Sequence, residues 1–117
     1  MQRVVPIILD LVAVVIFAIA GRASHGLNPA GVLVTAWPFL VACLVAWGAL
    51  FLLKDDGYGA RAALVVWLVT LAGGMGLRLA SGDTAAPAFV IVATLFLAAT
   101  FIGWRLIAWA LRRRSAA

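Results

Sequence analysis

The chain has 117 residues, 67% of them hydrophobic and 11% charged, with a mean hydropathy of +1.18. A soluble domain carries about 45–50% apolar and about 25% charged residues, and a domain this small could not hide the excess, so the composition excludes a water-soluble globule and selects the bilayer as solvent. The net charge of +5 does not mark a nucleic-acid binder, because the nine Lys and Arg stand at the ends of apolar runs, where the positive-inside rule and anionic head groups account for them.

The first apolar run predicts a helix over residues 4–21. It contains a carboxylate, Asp10, whose insertion near mid-membrane costs about 2.5–3.5 kcal/mol. The ten large aliphatic or aromatic residues between positions 7 and 19 return about 3–6 kcal/mol together, at about 0.3–0.6 kcal/mol each. The helix can therefore insert with Asp10 in place, provided that the carboxylate turns away from lipid. MQR followed by this run and by Ala18-Ile19-Ala20 also resembles a signal peptide, but Asp10 and Pro6 interrupt the apolar region.

The second predicted helix covers 31–53 and carries a stripe of Thr35, Pro38, Ala42, Ala46 and Ala49, spaced as a helix-packing seam. Pro38 lies a few residues inside it, where a kink is expected. Cys43 is the one cysteine and reads as a small buried hydrophobe. The third helix, 60–79, sets Thr70, Gly74 and Arg78 on one face, and its stretch Ala72-Gly73-Gly74-Met75-Gly76 leaves it slim for close packing. The fourth covers 86–111 and contains Arg105. The links are short and rich in Gly, Pro, Asn and Asp. The expected fold is all-α: one membrane domain spanning 1–117, an antiparallel up-down bundle of four transmembrane helices.

Seven basic residues, Arg3, Lys54, Arg61, Arg105 and Arg112–Arg114, fall on one side and two, Arg22 and Arg78, on the other. That bias predicts a multi-pass protein of a prokaryotic cytoplasmic (plasma) membrane, with both termini cytoplasmic. Trp47, Trp67, Trp104 and Trp109 fall toward the inner ends, as an interfacial belt would.

In this arrangement Asp10 and Arg105 come to similar depth, and an ion pair joining the first and last helices is expected, with Arg61 as reserve partner. The alternative is that Asp10 binds a proton or cation during transport. At the outer end, Arg22, Ser24, His25, Trp37 and Arg78 form a candidate site for an anion or lipid head group; the competing reading is that each Arg reaches its own interface. No metal site is expected, since there is one His, one Cys and no Glu set. No cofactor and no catalysis are expected either: G-x-S-x-G, phosphate-loop, dinucleotide and H-E-x-x-H patterns are absent.

Asp10, GRASHG at 21–26, TAWPFL at 35–40, GGMGLR at 73–78 and GWR at 103–105 together resemble the domain-of-unknown-function 3054 family of small bacterial and archaeal membrane proteins. The resemblance spans nearly the whole chain. It implies an integral membrane protein and supplies no activity. Size and architecture are also similar to fluoride channels and small multidrug exporters, but the diagnostic motifs of those families are not evident. The expected function is that of a non-enzymatic assembly or lipid-interacting element, with a small transporter or channel as the alternative. Expected partners are membrane lipids, with a second copy of the chain or another membrane protein as further candidates and no nucleic acid.

Overall fold

The computed structural model describes residues 4–22, 28–83 and 86–116, excluding the side chains of the last two. Arg3, Ser24 and His25 lie outside the described residues. Four helices account for most of the rest: α1 (Val4–Arg22), α2 (Pro29–Leu52), α3 (Ala60–Ala80) and α4 (Pro87–Ala116). All four are long and apolar enough to cross a membrane, and the protein is a multi-pass membrane protein by that measure. Three helices start and stop within two residues of expectation. The fourth runs five residues past 111, because arginine is a good helix former and cations stabilise a helix C-terminus.

The ends of the helices have local causes. Asn28 caps α2, its side-chain oxygen accepting from the Gly31 N–H at 2.6 Å, and Pro29 occupies the first helical position. α2 stops at a left-handed residue, Lys54 (φ 57°), with Asp55 N–H donating to Leu50 O and Lys54 N–H to Phe51 O. α3 stops in the same way at Gly82 (φ 89°), with Asp83 N–H on Arg78 O and Gly82 N–H on Leu79 O. Both are Schellman endings. Pro38 is accommodated within a continuous α2.

Each helix packs on its neighbours in the chain, and α4 closes the ring against α1; across the middle, the Phe39 ring of α2 meets the Phe89 ring of α4, 6.1 Å between centroids. The result is an elongated body of 48 × 28 × 24 Å. The core is aromatic and small at once. Phe17, Phe39, Phe101, Leu50 and Leu97 fill the axis, with Phe17 edge-on to Phe39 at 5.1 Å. Ala13, Ala42, Ala46 and Ala62 let the backbones approach.

Most of the expected α2 stripe is buried: Thr35, Pro38, Ala42 and Ala46 face the bundle, while Ala49 is half-buried. The slim stretch of α3 lies against it. A methyl group on Gly74 would collide with the Phe39 ring, and one on Gly73 would come within 3.0 Å of the Ala42 methyl. The outer faces carry Val, Leu and Ile, as lipid contact requires.

Candidate functional site

α1 is apolar on every side, so its rotation is set by packing and by its one acidic residue. Ala13, Val14 and Phe17 follow Asp10 at spacings of three, four and seven, and all four side chains face the core. On α4, Ala93, Leu97 and Phe101 precede Arg105 in steps of four and form its buried stripe. The two charges meet where α1 and α4 close the ring. Asp10 is 0% exposed and Arg105 is 4% exposed.

The contact is bidentate. Arg105 Nη1 donates to Asp10 Oδ1 at 2.9 Å, and Nη2 donates to Oδ2 at 2.8 Å. Two indoles complete the carboxylate. Trp104 Nε1–H donates to Oδ1 at 2.8 Å, and Trp47 Nε1–H, from α2, donates to Oδ2 at 2.9 Å. The guanidinium is held in turn by backbone: its Nε–H donates to Gly57 O at 2.8 Å and Nη1–H to Phe101 O at 3.1 Å. It also stacks on the Trp104 ring, 4.3 Å from its centroid. α1, α2, α4 and the α2–α3 link are thus joined through one carboxylate and one guanidinium.

A carboxylate offers about four lone-pair positions, and each oxygen here accepts two donors. Burying two ions costs several kcal/mol each unless geometry and extra hydrogen bonds compensate; this arrangement supplies both. Its four lone-pair positions are matched by four donors. Among the described residues, no group of three or more His, Cys, Asp or Glu could hold a metal ion.

The link residues 53–59 are built to bring Gly57 to this clasp. Asp55 Oδ1 accepts from the Gly57 N–H at 2.8 Å, and its Oδ2 accepts from Arg61 Nε–H at 2.9 Å. Arg61, the reserve partner for Asp10, is therefore paired with Asp55. Burial pushes the Asp55 carboxyl up, but the Gly57 N–H, the Arg61 hydrogen bond and the charges of Arg61 and Arg105 outweigh it, so it titrates below the usual 3.8. Gly57 has φ 91°, and a methyl group there would collide with the Trp47 ring.

The far end of the bundle holds the other candidate residues. Arg78 lies 3.4 Å from Asp83 and stacks over Phe89, 4.3 Å from the ring centroid. Arg22 lies against the first turn of α2, where a methyl group on Gly31 would collide with its guanidinium. Trp37 is 37% exposed. Ser24 and His25 lie outside the described residues.

Trp47, Trp104 and Gly57 were not legible as site residues. The indoles resemble an interfacial belt in the sequence, yet Trp47 is 2% exposed and Trp67 donates its N–H to Thr94 O at 3.0 Å. Of the four, Trp109 is the one that faces outward, at 56% exposed. One signal could have found the donors: an Arg fork fills only two of the four acceptor positions on a buried carboxylate, and the nearby indoles carry N–H groups to fill the others.

A family model described as Protein of unknown function (DUF3054) matches residues 7–108. Comparison with curated proteins and with solved structures gave no match. The matched stretch runs from the turn before Asp10 to the turn after Arg105, and on that coverage the chain belongs to the DUF3054 family.

Proposed function

We propose that this protein is a non-enzymatic structural element of a prokaryotic plasma membrane, an assembly partner or lipid-interacting bundle rather than a carrier. Its four helices run antiparallel, up and down, with both termini cytoplasmic. Lys54, Arg61, Arg105 and Arg112–Arg114 on one side support that orientation. The observation that carries the functional reading is the saturation of Asp10: two guanidinium and two indole donors occupy its oxygens. A coupling carboxylate must exchange its ligand during transport, and this one would first have to give up three side chains on two helices.

Reconstitution in liposomes tests the reading. Asp10→Asn is expected to lower stability, and the combined Asp10→Asn, Arg105→Gln change to restore part of it, since removing one member of a buried pair strands the other. Wild-type liposomes are expected to pass protons and small ions no faster than empty ones. Flux through the wild type that Asp10→Asn abolishes while the fold stays intact would overturn the proposal in favour of transport.

A further inference from the structure

Among the grooves at the clasp end of the bundle, two share one polar set. The first, about 500 Å³, lies between α1, α4 and the link between α2 and α3; the second, about 400 Å³, lies between that link and α4. Asp56, Tyr58 and Arg112 line both. The first groove continues from that set along an apolar floor of Val5, Leu9, Ile107, Ala108 and Leu111. These volumes fall in the range of about 300–1,000 Å³ that suits a ligand site.

The charges at the shared end are unmatched in the rest of the chain. The sequence has four acidic residues, and three are taken: Asp10 by Arg105, Asp55 by Arg61 and Asp83 by Arg78. Asp56 is the fourth, and among the described residues its Oδ1 accepts the Tyr58 N–H, at 3.0 Å, with no ion pair. Arg112 is held by a ring face instead of a carboxylate, 4.9 Å from the Tyr58 centroid. An acid and a base thus stand at the mouth of a groove whose floor is hydrocarbon.

We propose that Asp56, Tyr58 and Arg112 form the head-group site for a phospholipid bearing both a phosphate and a primary ammonium, with an acyl chain along the groove between α1 and α4. Arg112 presents a forked donor to the phosphate, which suits its geometry. Asp56 accepts from the ammonium, which has N–H donors where a quaternary amine has none. The order along α4 fits a lipid: the apolar residues Ile107 and Leu111 come before Arg112, so the chain points into the bilayer and the head group toward water. An anionic lipid without an amine would satisfy Arg112 and be repelled by Asp56.

The inference rests on the membrane-embedded reading above. The full-length protein is recovered from membranes after an alkaline carbonate wash, purified in detergent, and titrated with phosphatidylethanolamine, phosphatidylglycerol or phosphatidylcholine of identical acyl chains. Bound lipid is counted by native mass spectrometry. Phosphatidylethanolamine is expected to be preferred over each of the others by about two- to fivefold, the size of an exposed ion-pair effect. Asp56→Asn is expected to abolish the preference, Arg112→Gln to weaken all three lipids, and Arg114→Gln to change nothing. Equal binding of the three, a preference for phosphatidylglycerol or phosphatidylcholine, or a preference that survives Asp56→Asn would overturn the site. Release of the protein by carbonate would instead overturn the membrane-embedded reading.

Discussion

Gly57→Ala is the sharpest probe of the clasp, because it adds one methyl group outside the hydrogen-bonding atoms. The methyl would stand 2.9 Å from Cζ2 and from Cζ3 of Trp47 and closer still to Cη2. The ring has little freedom to yield, since Trp47 is 2% exposed and its Nε1–H is committed to Asp10. Overpacking of this kind costs about 1–3 kcal/mol. The left-handed backbone at φ 91° adds about 1–2 kcal/mol for a residue with a Cβ. The expected loss is about 2–5 kcal/mol. If the ring swings away instead, a hydrogen bond to a buried charge goes, at about 1.5–3 kcal/mol. Unfolding by SDS titration from detergent micelles, followed by far-UV circular dichroism, measures the change. A double-mutant cycle with Trp47→Phe isolates the collision, because the shorter ring vacates the space; a coupling of about 1–3 kcal/mol is expected. A Gly57→Ala protein within about 0.5 kcal/mol of wild type, or single effects that add to within that margin, would refute the reasoning.

The two glycines at positions 74 and 76 are expected to respond with opposite signs. Gly74→Ala meets the buried Phe39 ring and should destabilise, because overpacking of about 1–3 kcal/mol outweighs a helix-propensity gain of about 1 kcal/mol. Gly76→Ala meets open space and should stabilise by about 1 kcal/mol; the same SDS titration reads both, and loss of stability in each would contradict the packing described. The Asp55 clip should be insensitive to pH between 8 and 5. Its folded carboxyl titrates below 3.8, so its stabilising contribution is fully present above that value and is lost as the pH falls through the folded value. Comparing wild type with Asp55→Asn should give a stability difference that is constant at neutral pH and shrinks only in strong acid; a difference that already shrinks at pH 5–6 would show the carboxyl is not held down.

Hydropathy located the four helices because each must keep about 20 apolar residues in register with the hydrocarbon. Depth reckoning from the helix ends brought Asp10 and Arg105 level, since rise per residue is fixed. Neither argument reaches azimuth. A tryptophan at an interface and one turned inward to a carboxylate have the same sequence position, which is why Trp47 and Trp104 resembled a belt. Gly57 was hidden for a different reason: its contribution is a carbonyl oxygen, a group every residue has. The far-end arginines show a third limit. Arg78 meets Asp83 only because a Schellman turn at Gly82 folds the link back over the end of α3, and loop geometry of that kind is not written in apolar periodicity. The apolar run ends at 111, yet α4 continues through the C-terminal arginines, because outside the hydrocarbon nothing penalises their charge.

The clasp joins residues 95 positions apart, so during synthesis its acidic half emerges long before its basic half. Until the fourth span arrives, the growing polypeptide holds a carboxyl group whose observed guanidinium partner has not yet been made. A prematurely terminated product would keep that blemish, and an intact one would erase it.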